Sequence, residues 1–339
     1  MNYIDLHKTT WNKLQAQRER LPHALLLIGQ RGLGKFALAQ AFAKALLCEQ
    51  PQEGGLACGC CLACNWFEQG NHPDFRLLQP QALVEDADAE EGKKKGSQQI
   101  TIDQVRALDD FLNVGTHRAG LKIVVVNPAD AMNRSTANAL LKTLEEPSPG
   151  TLFLMVSNEP LRLLPTIRSR CQVVPVNVPP AATAEAALAA DGLEQAGRWL
   201  ALAGGSPGLA GELAASGRGG WLDILTRCLA ANGDIDPISS AGELEKAIKD
   251  NKGKLGLKAV VDAMQKWLID MTLASNGQPA RYFLPQQATI SGLADMIPPA
   301  RIVRAYRLLL TRRREAEQPL NACLFLEGLF MDYRGLLRH

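Results

Sequence analysis

The sequence predicts an α/β domain built on a parallel sheet, a small helical domain behind it, and an all-α C-terminal domain. Three observations predict this. Short apolar runs, HALLLIG (23–29), LKIVVVN (121–127) and TLFLMVSN (151–158), are separated by helix-length segments, the pattern of strands buried on both faces. A glycine-rich turn, GQRGLGKF (29–36), joins the first run to the segment after it. From residue 181 onward no strand pattern recurs, and Ala/Leu-rich helical spacing takes over.

Taken in order, HALLLIG is a strand and FALAQAFAKALLC (36–48) a helix, with the turn between them. After a cysteine cluster, DFRLLQP (74–80) reads as a second strand. Residues 81–99, QALVEDADAEEGKKKGSQQ, run acidic then basic with little to bury, so a mobile surface loop is expected. ITIDQVRALDDFLNV (100–114) is a helix with Asp103 near its start. LKIVVVN is a buried strand, NRSTANALLKTLEEP (133–147) a helix stopped by Pro147, and TLFLMVSN another buried strand. PTIRSRC (165–171) begins a short helical segment, and NVPP (177–180) punctuates the chain. The expected domains are therefore 1–178, 179–218 (interrupted by GGSPG at 204–208) and 219–339, the last ending in two amphipathic helices.

The 339 residues are 46% hydrophobic and only 5% aromatic, which suits Leu/Ala-rich helical packing. A net charge of +2 gives no global field, so any nucleic-acid contact must come from local patches. The start, MNYIDLHKTTW, has no apolar signal region. The longest apolar stretches fall far short of the roughly 20 residues of a membrane helix. A cytoplasmic protein with no membrane association is expected, and there eight cysteines are not a disulfide framework.

Five of the eight lie within CEQPQEGGLACGCCLAC (48–64). Cys48, Cys58, Cys61 and Cys64 give C-x9-C-x2-C-x2-C, four thiolates able to close a tetrahedron around structural Zn²⁺ with no position left for catalysis. Cys60 is surplus. An iron–sulfur cluster and free buried cysteines are the alternatives.

The glycine turn nearly matches a phosphate-binding loop, which runs Gly, four residues, Gly, Lys, then Ser or Thr. Gly29, Gly34 and Lys35 obey it, but Phe36 stands where a hydroxyl would bind Mg²⁺. Lys35 could still attract phosphate, and the bland reading is a loop kept for its backbone geometry.

NALLKTLEEP (138–147) followed by SRC (169–171), behind that loop and the cysteine cluster, resembles the bacterial clamp-loader subunits, AAA+ proteins of the DNA polymerase III holoenzyme. The resemblance is strong over the first two domains and rests on helical character alone over the third. It implies an AAA+ domain, a helical lid and a collar for oligomerisation, with the cysteines as an inserted zinc module. It implies assembly with gamma/tau and delta subunits in a hetero-pentamer that loads the sliding clamp onto primer-template DNA. It also sets the family's metal-binding and water-activating Asp-Glu pair against Asn127 and Pro128, and its sensor arginine against Gly208 of GSPG. Asp130 lies three residues on, at the wrong place to substitute. With Phe36, these losses imply a vestigial ATP site and no hydrolysis. Arg170 of SRC is, in the family, a finger inserted into a neighbouring subunit's ATP site. The competing reading is a structural salt bridge, with Glu145 or Glu146 as partner. An ATP-hydrolysing gamma/tau-type subunit is the alternative function, and a zinc-dependent nucleic-acid-binding module a third.

Weaker signals remain. Lys93–Lys95 adjoin Glu90 and Glu91 and read as a solvated loop. Arg301, Arg304 and Arg307, with Arg312–Arg314 behind, form a basic stripe that most economically reads as a solvated face. The five histidines make no metal or catalytic spacing.

Overall fold

The computed structural model describes residues 1–85, 97–117, 120–216, 220–232, 234–250 and 256–337. It contains two compact units, residues 2–179 and 180–339.

In the first unit, α1 (Tyr3–Leu6) and α2 (Lys8–Ala16) precede β1 (Ala24–Ile28). Then come α3 (Lys35–Leu47), α4 (Leu62–Glu68), β2 (Phe75–Leu78), α5 (Gln81–Glu85) and α6 (Ile102–Asn113). The unit ends with β3 (Lys122–Val126), α7 (Arg134–Glu145), β4 (Thr151–Ser157), α8 (Pro165–Arg168) and β5 (Gln172–Pro175). The sheet is wholly parallel in the order β2-β3-β4-β1-β5. Period-two geometry sends alternate side chains to opposite faces. Leu25, Leu27, Ile123, Val125, Leu152 and Leu154 share one apolar cluster with Trp11, Leu38 and Phe42. Ala24, Leu26, Val124, Val126, Phe153 and Met155 share another with Leu108, Leu140 and Ile167. Both faces are covered by helices, which is why these strands are apolar without interruption. α6 starts at a capping box, with Thr101 and Gln104 satisfying each other's backbone N–H.

Two expectations need correction. Residues 81–85 of the expected loop are helical, because Leu83 N–H and Ala82 N–H find carbonyls at Pro80 and Ser97. Residues 86–96 of that loop, with Lys93–Lys95, lie outside the described residues. PTIRSRC does begin a short helix, α8, but the sequence reading missed a fifth strand, Gln172–Pro175, which pairs with β1.

The second unit is helical: α9 (Ala181–Ala190), α10 (Ala196–Leu202), α11 (Pro207–Ser216), α12 (Trp221–Leu229) and α13 (Pro237–Asp250) lead into α14 (Leu257–Ala274). α15 (Gln287–Asp295), α16 (Pro299–Glu315) and α17 (Ala322–Leu337) complete it. It holds two apolar clusters, a small one around Ala184, Leu188 and Leu200 and a large one from Leu202 to Leu336. Two buried polar devices fix the large one. The Asp270 carboxylate, 0% exposed, accepts the backbone N–H groups of Arg281, Tyr282 and Phe283. Trp267 Nε1 donates to Tyr333 Oη, which donates to the Leu229 carbonyl. Among the described residues no helix is long and apolar enough to cross a membrane.

Candidate functional site

The glycine loop sits at the carboxyl end of β1, where open α/β sheets bind their ligands. Strand register dictates its neighbours. Ile28 pairs with Ser157 of β4 and with Pro175 of β5. Gly29 is thereby wedged beside Val176, and a Cβ there would stand 2.4 Å from the Val176 carbonyl oxygen. Gly34 has φ +79°, and a Cβ on it would lie 2.0 Å from the Tyr3 ring of α1. The first helix thus lies directly on the loop. His7 follows it, with Nε2 at 2.8 Å from the Leu33 carbonyl. Burial holds that imidazole below its usual pKa, opposed by the Leu33 carbonyl and helped by Lys35.

Lys35 is 3% exposed. Its ammonium donates to the carbonyls of Gly29 (2.7 Å) and Gln30 (2.6 Å) and to Asn158 Oδ1 (2.8 Å). An ammonium has three N–H groups, so the donors that would grip phosphate are spent on the loop itself. Burial draws its pKa down to about 8, against the pull of Asp130. Asp130 in turn accepts the backbone N–H of Asn158 at 2.8 Å. Phe36 packs on the apolar cluster under the loop. Asn127 and Pro128 follow β3, the strand next to β4, while Gly208 is the second residue of α11 in the other unit.

The four cysteines converge. Cys48, Cys58, Cys61 and Cys64 place their Sγ atoms within 4.8 Å of one another. Cys48–Cys58 is 3.5 Å, Cys48–Cys61 3.9 Å and Cys58–Cys64 3.9 Å. A tetrahedron of Zn–S bonds of about 2.3 Å requires edges of about 3.8 Å, so the set fits zinc. The backbone N–H groups of Cys58, Cys61 and Cys64 point at the sulfurs of Cys48, Cys58 and Cys61, the donors that stabilise thiolates. Backbone N–H groups of Cys60 and Cys61 bring the Cys58 thiol down to about 6, and burial pushes Cys64 up to about 12. Cys60 is exposed and outside the cluster. The long arm between Cys48 and Cys58 is tied to α2, where Trp11 Nε1 and Gln15 Nε2 donate to the Gly54 and Gly55 carbonyls.

Arg170 follows α8. Its Nη2 lies 2.6 Å from Glu145 Oε1, and Nη1 donates to the Thr166 carbonyl at 2.9 Å. The salt-bridge geometry weighed from sequence is present, with Glu145. The Arg170 side chain remains 35% exposed. In the basic stripe of α16, Arg301 donates to the Gly335 carbonyl, while Arg312 and Arg313 pair with Asp332 and Asp262.

Sequence reasoning overlooked Tyr3, His7 and Asn158. Asn158 was findable: it ends the strand whose apolar run aligns with β1. Tyr3 and His7 carry no local motif, and only the fold brings them to the loop.

A parallel sheet in this strand order, with a glycine loop after β1 and helical segments following it in the chain, is the AAA+ fold. A family model described as DNA polymerase III, delta subunit, matches residues 6–180. DNA polymerase III subunit delta' of Pseudomonas aeruginosa is 34% identical over 349 aligned positions, covering 96% of this chain and 95% of that one. The delta' subunit of Escherichia coli is 38% identical over 200, covering 57% and 55%. A solved gamma-subunit-related protein of Thermotoga maritima superposes with a TM-score of 0.46 at 17% identity, covering 97% of this chain and 100% of that one. The chain belongs to the DNA polymerase III delta' family.

Proposed function

We propose that this chain is a non-hydrolysing clamp-loader subunit. Residues 1–178 form the AAA+ domain with its zinc module (48–64), 179–218 the lid and 219–339 the collar. It joins gamma/tau and delta subunits in a hetero-pentamer that loads the sliding clamp onto primed DNA, and it lends Arg170 to a neighbouring ATP site. A planar, permanently charged guanidinium suits that task, because charge builds on the transferring phosphoryl group in the transition state. A chain that hydrolyses nothing itself has no use for such a residue in cis.

The observation that carries the non-hydrolysing part is the bonding of Lys35 to Gly29, Gln30 and Asn158 beside Phe36. Phosphate would have to displace three internal hydrogen bonds at a loop with no hydroxyl at position 36 for Mg²⁺. Asn127 and Pro128 supply neither a strong metal ligand nor a base to the water. Zinc held by Cys48, Cys58, Cys61 and Cys64 staples the α3–α4 connection and takes no part in chemistry.

The test is phosphate release by the isolated chain with ATP and Mg²⁺. The expected rate equals the no-protein background. Turnover of about 1 per second or faster, ordinary for enzymes, would instead make the chain a gamma/tau-type ATPase.

A further inference from the structure

We infer that Glu145 is a positioning residue for Arg170, and that this is what joins the LEEP and SRC segments. The inference rests on the finger reading above. Glu145 is the last residue of α7. A carboxylate at a helix C-terminus opposes the macrodipole, and Glu146 beside it adds a like charge, so helix stability gives no reason for Glu145. Its geometry does. The carboxylate holds Nη2 at 2.6 Å while the Thr166 carbonyl holds Nη1, so two edges of the guanidinium fork are fixed and the side chain still reaches solvent.

Both ends of this contact stand on one rigid base. Leu140 and Leu144, on the turn before Glu145, are buried in the same apolar cluster as Ile167 and Cys171, which flank Arg170. A charge-assisted pair over a shared core sets direction as much as energy. An isolated arginine would spend rotamer freedom each time it was aimed. A pre-held one presents its free edge to a partner in a single orientation.

The experiment uses the reconstituted assembly with Glu145→Gln, Glu145→Asp, Arg170→Ala and the double variant Glu145→Gln/Arg170→Ala. ATP turnover and KM are measured for each. Glu145→Gln should lower turnover at the adjoining ATP site about three- to tenfold, and total turnover by the matching part of that site's share, with KM for ATP unchanged, the signature of an interaction used in the transition state. Glu145→Asp should recover part of the loss. In the Arg170→Ala background, Glu145→Gln should have no further effect, because Glu145 acts through Arg170.

Several results would overturn the inference. Arg170→Ala slows turnover while Glu145→Gln does not; or Glu145→Gln speeds it, making the pair a restraint; or the two losses multiply. Loss of assembly by Glu145→Gln and Glu145→Asp alike would make Glu145 an interface residue instead. An unaffected Arg170→Ala assembly would remove the finger reading itself, and this inference with it.

Discussion

Lys35 stands where a phosphate loop has its lysine. In a working phosphate loop its ammonium meets the ligand; here it meets Gly29, Gln30 and Asn158. Burial favours its neutral form in the folded chain, so the unfolded chain binds more protons between about pH 8 and the ordinary lysine range. Stability from this group therefore rises with pH across that window. Denaturant titrations of wild type and Lys35→Met should diverge in favour of wild type as pH goes from about 7 to about 10; a constant difference would mean the ammonium is not desolvated. Restoring one hydroxyl with Phe36→Thr should leave hydrolysis at background, since Asn127 and Pro128 still lack the second ligand and the base. Measurable phosphate release by that variant would place the block at Phe36 alone. Phe36 stood out in the sequence because it breaks the spacing of a phosphate loop, whereas Asn127, Pro128 and Gly208 were singled out only through the resemblance to the clamp-loader family. Tyr3 and His7 were not, since nothing in MNYIDLH announces a contact with Leu33 or Gly34.

The strands were the most legible elements. Lys122–Val126 and Thr151–Ser157 are buried along their whole length, so the apolar run and the strand coincide. β5 escaped notice because QVVP is four residues long, lies at the sheet edge and exposes all but Val174. The cysteine module was legible by spacing with Cys60 as the surplus, and the fold leaves Cys60 exposed. Elemental analysis of the purified chain should find about one zinc, kept in Cys60→Ser and lost in Cys64→Ser; retention in Cys64→Ser would break the four-ligand assignment. In the helical unit, Asp270 is the hidden fixture, a buried carboxylate that binds three backbone N–H groups eleven to thirteen residues away. Asp270→Asn leaves one acceptor oxygen and turns an NH₂ toward those donors, costing about 2 kcal/mol. Chemical denaturation that shows no loss would mean the 280–283 segment is held by its apolar contacts instead.

At the scale of the molecule, the α/β unit holds both the glycine loop and Arg170. Its own phosphate loop is closed by Tyr3, His7 and Asn158, while Arg170 stands partly exposed on a base of Ile167, Cys171, Leu140 and Leu144. In the proposed function, its contribution to ATP chemistry is made at a neighbour's nucleotide. The most direct measurement is DNA-stimulated ATP turnover of the reconstituted clamp loader containing either wild-type chain or Arg170→Ala. The account predicts intact assemblies of equal size, with turnover at the adjoining site reduced about a thousandfold, the scale of a lost arginine finger, and total turnover reduced by that site's share. Unchanged turnover in an intact Arg170→Ala assembly would contradict it, leaving the Arg170–Glu145 contact as a structural ion pair.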